Sequence, residues 1–391
     1  MIKVCFLHHG LGYGGATKSL ILLQESIKNH CEIYTYSLPS HRHPEIKEFF
    51  VNSTFVKEII LPTIYSYSAA TSKIREIKNI KIKKLDKLLY EIGQLDIDVL
   101  HINSTLFSHI LKPLKESFPK LKIVVHLREA LPFGFDHPVD SFIIENTLKY
   151  SDKIIAITNN EARFFVGSDK LVILPNPHFF LETDKYLSIP NDDDKIVVGM
   201  ISNFLPYKGH LTFIDSAHRV IKNLGLNNDK IQFKIIGYPK KQFDFKVYLK
   251  KILNIGYKHK FDKKINNPAV KDYFKVIPFT FDVYDELSQF DIYIRPDYTG
   301  QPWGRDIIEA MALKKPVIAT GTSEFYVENE VTGYLVQPKN PVELGEKIIE
   351  LISDPHRRLS MGVAGYAKIK SMCDLEEYGK KVVMIYQNLI F

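Results

Sequence analysis

DIYIRPDYTGQPWGRDIIEAMALKKPVIAT, residues 291–320 of a 391-residue chain, is the stretch from which the fold is read. Asp291 to Arg295 reads as a strand, Pro296 to Gly304 is rich in turn formers, a helix starts near Arg305, and PVIAT returns as a second strand. Strand, loop, helix and strand in that order make a βαβ unit, whose helix points its first amide N–H groups at the carboxyl end of a parallel sheet. The N–H groups around Gly304 and Arg305 can then receive an anion. Glu309 lies one turn further in. An ionised carboxylate is acceptor-only, which suits it to the vicinal hydroxyls of a ribose. Its neighbours Ile307, Ile308, Ala310, Met311 and Ala312 are of buried type, so a partner is required. The plainer alternative is an acid on a solvated helix face.

Outward from that unit, short β-rich runs alternate with helical periods. KVCFL, EIYTYSL, VKEIIL, DVLHIN, KIVVHL, KIIAIT and LVILPN form one series; KIVVGMI, QFKIIG, KVIPF, DIYIRP and PVIAT form another. Between them PNPHFFLETDKYLSIPNDDDK breaks any regular period with prolines and an acidic tract. The expected fold is α/β, with two Rossmann-like doubly wound domains facing across a cleft and ligands held beyond the carboxyl ends of the strands. The first domain is placed at 1–178, a linker at 179–195 and the second domain at 196–372. Residues 373–391 are read as a C-terminal helix packing back toward the first domain.

Composition excludes several classes. Twenty Gly and twenty Pro are scattered rather than massed, and 45% of residues are hydrophobic, which is ordinary for a globular chain and argues against a fibrous or disordered one. MIKVCFLHHG runs from Met1 straight into a strand, and no apolar run is long enough to span a bilayer, so a cytoplasmic location is expected. Cys5, Cys31 and Cys373 are odd in number and far apart, as free thiols are. The net charge of +7 favours an anionic partner without choosing among nucleic acid, a phosphorylated small molecule and an acidic membrane.

Two loops invite phosphate. HHGLGYGGATKSL carries Gly10, Gly12, Gly14 and Gly15 into a helix start, where backbone can approach an anion. Thr17 stands where a Walker loop needs Gly, and Tyr36-Ser37-Leu38 lacks the acid of a nicotinamide site. A tight turn without ligand remains the other reading. In SNFLPYKGHL, Lys208 and Gly209 follow a strand and precede a helix. Lys208 is read either as a solvated lysine or as a cation at the mouth of the cleft.

GLGYGGATKSL, VVHLREA, PNP, SNFLPYKG and, above all, QPWGRDIIEAMALKKPVIAT followed by NEVTGYLVQPKNPVELGEKI occur in this order over nearly the whole chain. In these blocks the sequence resembles the retaining glycosyltransferases of family 4, glycosyl transferases group 1 with the GT-B architecture. The resemblance implies transfer of a sugar from a nucleotide-sugar donor to a hydroxyl of a glycan or lipid-linked acceptor, with retention at the anomeric carbon. It further implies a place in cell-surface polysaccharide or glycoconjugate assembly, no metal ion, and no cofactor beyond the donor.

Site residues follow one by one. The family has two glutamates separated by seven residues; Glu309 matches the second, which holds the donor ribose, while the first position, which contacts the transferred sugar, is Gln301. The amide can hydrogen-bond a hydroxyl but carries no charge. Asn203 replaces a family Arg, leaving the donor phosphates to Lys208, with Arg305 as the compensating cation and Gly14, Gly15 and Gly304 supplying backbone. His126 matches the position that approaches the donor sugar and is read as following a first-domain strand. Arg128 and Glu129 share its loop and are placed near the acceptor or as supports.

A basic segment, Lys73–Gln94, sets Ile74, Ile77, Leu85, Leu88 and Ile92 on one helical side, which fits either an anionic leaflet or packing on the first domain. A second basic tract, Lys240 to Lys264, lacks such a stripe. Two rival functions are weighed. A nucleotide-sugar epimerase of the same architecture needs acid and base carboxylates in the cleft. A nucleic-acid-binding protein needs aromatic residues interleaved with the basic ones, which are missing, so no nucleic-acid partner is expected.

Overall fold

The computed structural model describes residues 1–10, 14–39, 44–61, 63, 83–180, 195–225, 227, 229–239, 256–280, 283–301 and 303–391. Gly12, residues 73–82 of the basic segment, all but the ends of the expected linker, and residues 240–255 of the second basic tract lie outside them. The chain divides into two units, Met1–Phe179 with Cys373–Phe391, and Phe180–Met372.

The first unit runs β1 (Ile2–His8), α1 (Gly15–Ile27), β2 (Cys31–Ser37), β3 (Phe55–Glu58), α2 (Lys83–Gly93), β4 (Val99–Ile102), α3 (Leu111–Ser117), β5 (Lys122–Leu127), α4 (Pro138–Tyr150), β6 (Lys153–Ala156), α5 (Asn159–Ala162) and β7 (Leu171–Ile173). Its sheet has the order β3-β2-β1-β4-β5-β6-β7, and every pairing is parallel. The second unit runs β8 (Ile196–Ile201), α6 (His210–Leu224), β9 (Ile231–Tyr238), α7 (Tyr257–Ile265), β10 (Phe274–Pro278), α8 (Tyr284–Ser288), β11 (Ile292–Arg295), α9 (Arg305–Ala312), β12 (Val317–Thr320), β13 (Gly333–Val336), α10 (Pro341–Ser353) and α11 (Pro355–Cys373). Its sheet, β10-β9-β8-β11-β12-β13, is also parallel throughout. Two parallel α/β sheets of doubly wound order are the GT-B fold class. In each, strand order reverses beside the first strand, at β1/β4 and at β8/β11, the switch points where such sheets bind ligands.

Burial on both faces explains the continuous apolar strands. Along β1, Val4 and Phe6 face one layer while Cys5 and Leu7 face the other. The first layer comes from α1 and from the last helix of the chain, α12 (Leu375–Ile390), whose Tyr378, Val382 and Tyr386 pack with Leu20, Leu23 and Ile27. Asp374 caps α12, accepting from the N–H groups of Glu376 and Glu377 at 3.0 Å. A fully buried aromatic or leucine side chain contributes roughly 1.5–3 kcal/mol, so the last helix is a structural layer of the first unit. On the other face Leu88 and Ile92 of α2 are buried in the core, with Leu85 packed against it. That part of the basic segment spends its apolar side on the sheet. Cys5, Cys31 and Cys373 are buried, and none forms a disulfide among the described residues.

Candidate functional site

In the second unit three cations and three carboxylates gather at the carboxyl ends of β8 and β11. Lys208 Nζ donates to Asp297 Oδ2 at 2.8 Å, and the Asp297 side chain is only 3% exposed. Lys208 is thus anchored, not a solvated lysine. Thr299 donates to Asp297 Oδ1 from its N–H at 2.9 Å and its hydroxyl at 2.5 Å, and Thr320 Oγ1 donates to the Asp297 carbonyl. Burial acts to raise the Asp297 pKa, but Lys208, Thr299 and Arg295 outweigh it and the net shift is downward.

Gly209 makes this loop geometry possible. It adopts φ +77°, and a Cβ there would lie 1.8 Å from the Pro296 carbonyl oxygen. Only glycine lets the Lys208 turn sit directly on the loop that carries Asp297. Tyr298 N–H also donates to the Tyr207 carbonyl at 2.7 Å, and Thr212 Oγ1 to the Tyr298 hydroxyl at 3.1 Å. Beneath the turn His210 is buried between Ser202 Oγ and the Tyr257 hydroxyl, each 3.0 Å away. Burial, helped by the Lys208 charge, pulls its pKa down to about 4, so it is neutral.

Arg295, the last residue of β11, holds Asp306 with Nη1 at 2.5 Å and 2.6 Å from the two carboxylate oxygens, and its Nε donates to the Gln301 carbonyl at 3.1 Å. Tyr293 adds a hydroxyl to Asp306 at 2.7 Å. This clamp fixes the entry to α9, whose start has Gly304 at the cap and no side chain capping it. Arg305 Nε and Glu309 Oε1 lie 3.3 Å apart, one turn along the helix, and both side chains are 7% exposed. Glu309 is buried and ion-paired, not on a solvated face. Gln301 is partly buried, and Asn203 is exposed with its carbonyl accepting from Leu205 N–H at 2.8 Å. The structure therefore brings Lys208, Gln301, Gly304, Arg305 and Glu309 to the carboxyl ends of the central strands β8 and β11. Sequence reading missed Arg295, Asp297, Asp306 and His210; a charged pair flanking the proline in IYIRPD was the available signal.

In the first unit His126 requires a correction. It lies within β5, which extends through Leu127, rather than in the loop that follows. His126 is fully buried, with Nδ1 3.2 Å from His101 Nε2, and His101 Nδ1 is 2.6 Å from the Tyr386 hydroxyl. No group among the described residues hydrogen-bonds His126 Nε2. Burial holds the His101 pKa down to about 3 and that of His126 well below the usual range, with Arg128 acting in the same direction. Both rings are neutral.

Beside them, Arg128 Nε donates to Asn103 Oδ1 at 2.9 Å and Nη1 to Asn176 Oδ1. With its oxygen committed to Arg128, Asn103 presents its NH2 to His8 Nδ1 at 3.1 Å, so His8 donates from Nε2 to Thr17 Oγ1 at 3.1 Å. Glu129 accepts from Ser104 Oγ at 2.8 Å and from the N–H and hydroxyl of Thr105 at 3.1 and 2.9 Å. Arg128 and Glu129 thus brace the loops at the β1/β4 switch point. His8, His101, Asn103, Asn176 and Tyr386 went unnoticed in the sequence, because their partners stand up to 285 residues away. At the start of α1, Gly14 and Gly15 are exposed, without a side-chain cap or an acidic residue in the first turn.

Among the described residues no helix is long and apolar enough to cross a membrane, and no group of three or more His, Cys, Asp or Glu is arranged to hold a metal ion.

Residues 185–368 match the family described as Glycosyl transferases group 1. The chain is 24% identical to uncharacterized glycosyltransferase MJ1069 of Methanocaldococcus jannaschii, over 89% of this chain and 88% of that protein. It is 34% identical to a GDP-mannose-dependent monoacylated alpha-(1-6)-phosphatidylinositol monomannoside mannosyltransferase of Corynebacterium glutamicum, over 27% of this chain and 30% of that one. Among solved structures, Anabaena Alr3699/HepE in complex with UDP superposes with a TM-score of 0.75 at 17% identity, covering 99% of this chain and 100% of that one, a likeness of fold.

Proposed function

Since residues 185–368 match glycosyl transferases group 1, we propose that the chain is a family 4 glycosyltransferase that transfers a hexose from a nucleotide-sugar donor to a hydroxyl of a glycan or lipid-linked acceptor with retention at the anomeric carbon. The observation that carries this reading is the α9 start. There an uncapped helix N-terminus, Arg305 and a buried Glu309 stand together at the β8/β11 switch point, beside Lys208. The chemistry needs positive charge where the diphosphate leaves. Lys208, Arg305 and the amides at Gly304 and Arg305 supply it, and the backbone at Gly14 and Gly15 is proposed as a further donor-phosphate contact. Losing one well-placed donor of this kind costs about 3 kcal/mol, roughly a hundredfold in rate. Glu309 is proposed to accept the ribose hydroxyls, Gln301 to offer its amide to the transferred sugar, and His126 to contact that sugar. Asn203 contributes through its backbone and amide.

The cations come from the protein, so turnover is proposed to be independent of metal. The carboxylates at these strand ends are each neutralised by a basic partner: Asp297 by Lys208, Asp306 by Arg295 and Glu309 by Arg305. The lipid acceptor in the name of the Corynebacterium glutamicum relative supports the proposed acceptor class, and a cytoplasmic location and a role in cell-surface glycan assembly are proposed with it. The apolar side of residues 83–93 is occupied by the core, so membrane contact is not assigned to it.

The test begins with thermal shift against UDP-glucose, UDP-N-acetylglucosamine and GDP-mannose, with free nucleotides as controls. Ligand at a hundred times Kd stabilises the folded state by about 2.7 kcal/mol. The selected donor is then supplied with acceptor hydroxyls in the presence of a chelator, and the anomeric configuration of the product is read by NMR. An inverted product, or loss of turnover on chelation, overturns the corresponding part of the proposal.

A further inference from the structure

Three buried side chains from distant parts of the first unit form one hydrogen-bonded line: the Tyr386 hydroxyl of α12, His101 of β4 and His126 of β5. Val124 pairs with His101 across the two strands, so His126, two residues further along β5, lies on the same sheet face as His101. That face is covered by α1 and α12, which is how a residue near the C-terminus reaches the strands.

The line has a direction. The Tyr386 hydroxyl is fully buried and has His101 Nδ1 as its hydrogen-bonding partner among the described residues. Either direction leaves one buried donor unpaired, the Tyr386 hydroxyl in one and His126 Nε2–H in the other, but donation toward Tyr386 would also leave the bare His126 Nε2 as a buried acceptor without a partner among the described residues. His101 Nδ1 is therefore the acceptor. A neutral imidazole carries its single proton on the other nitrogen, so His101 donates from Nε2 to His126 Nδ1. His126, neutral and accepting at Nδ1, carries its proton on Nε2, the atom that no described group hydrogen-bonds.

We propose that Tyr386, acting through His101, is a positioning residue that fixes His126 as the Nε2–H tautomer, so that His126 meets the donor sugar as a hydrogen-bond donor to an oxygen lone pair. This rests on the reading of His126 as a contact of the transferred sugar. It deepens that reading: the feature recognised is an acceptor oxygen on the sugar, and His126 takes no proton during transfer. The C-terminal helix becomes part of the donor-sugar machinery without touching substrate.

The experiment reads tautomers directly. Full-length protein labelled with 15N-histidine is examined by long-range proton–nitrogen correlation spectra at pH 7.5, with His101 and His126 assigned from the spectra of His101→Gln and His126→Gln. The expected wild-type result is Nε2–H for both rings. Tyr386→Phe keeps the aromatic packing and removes the directing proton, and the Nδ1–H fraction of His126 rises about fivefold, the bias one ordinary hydrogen bond supplies. His101→Leu, which breaks the line in the middle, releases His126 in the same way. A wild-type His126 in the Nδ1–H form, or an unchanged tautomer in both variants, overturns the proposal. UDP-glucose and GDP-mannose are then titrated into the wild type. If a bound sugar nucleotide leaves the His126 nitrogen signals unmoved, the sugar-contact reading falls while the tautomer assignment stands.

Discussion

Gly209→Ala tests how the Lys208 turn is built. At φ +77° an alanine sits in the left-handed region, costing roughly 1–2 kcal/mol. Its Cβ also meets the Pro296 carbonyl oxygen at 1.8 Å, where ordinary contacts begin at 3.4 Å, so the loop must retreat by more than an ångström. The obstacle is backbone and cannot rotate aside. Strain and displacement together give about 3 kcal/mol, which in a unit the size of Phe180–Met372 lowers Tm by about 9 °C. The same movement carries Lys208 away from its place beside Asp297, and a 1 Å misplacement of a positioning group can cost on the order of a hundredfold in turnover. Gly225→Ala is the internal control, since Gly225 has φ +62° but nothing among the described residues within 4 Å of its Cβ. It should show the backbone strain alone, with a small Tm loss and unchanged kcat. Melting curves and steady-state kinetics on the selected nucleotide-sugar measure both. Equal Tm and kcat for the two variants would refute the argument that the turn rests on Pro296.

Asp297→Ala removes the acceptor of Lys208 Nζ and of both Thr299 donors and is expected to destabilise by about 3 kcal/mol; a Tm within a degree of wild type would show that the buried pair contributes nothing. Glu309→Gln is expected to raise donor KM about tenfold or more and to abolish the preference for UDP over 2′-deoxy-UDP in competition assays, an outcome that undisturbed ribose discrimination would contradict. Gly14→Ala should leave Tm unchanged, because nothing among the described residues lies within 4 Å of its Cβ, yet weaken donor binding if phosphate approaches the backbone there; unaltered KM counts against that approach. Stability should fall on mild acidification. His101, His109 and His210 have folded pKa values near 3, 4 and 4, below the unfolded value near 6.5, so the unfolded chain binds protons first. Their contribution is complete above about pH 6.5 and declines below it, by about 1.4 kcal/mol per pH unit for each ring. Urea unfolding at pH 7.5 and 5.5 checks this; equal stability would mean that these rings are protonated in the folded state.

Strand positions and the start of α9 were legible because apolar periodicity and turn residues are local signals. KVCFL and DIYIRP became strands, and the helix expected near Arg305 begins there. Lys208, Arg305 and Glu309 could be singled out because each follows a strand and enters a helix, the one place where local order predicts exposure to a ligand. Their partners could not. Asp297 read as one more turn residue in PDYTG, and nothing along the chain said that Lys208, 89 residues earlier, would be bound to it. His126 looked like a loop residue because His-Leu-Arg does not mark where a buried strand stops; pairing with Ile155 and Ala156 of β6 carries the strand to Leu127.

By itself the order of residues determined the alternation of strands and helices, the parallel sheets that such alternation requires, and which loops stand at strand ends. Those follow from the period of apolar side chains and from backbone hydrogen bonding, which act between near neighbours. Only the tertiary structure decided the protonation and pairing of the groups at those ends: that His126 is neutral and joined through His101 to Tyr386, and that Lys208, Arg295 and Arg305 each face a carboxylate. Burial and Coulomb attraction depend on distance in space, and residues hundreds of positions apart become neighbours only when the sheets have formed.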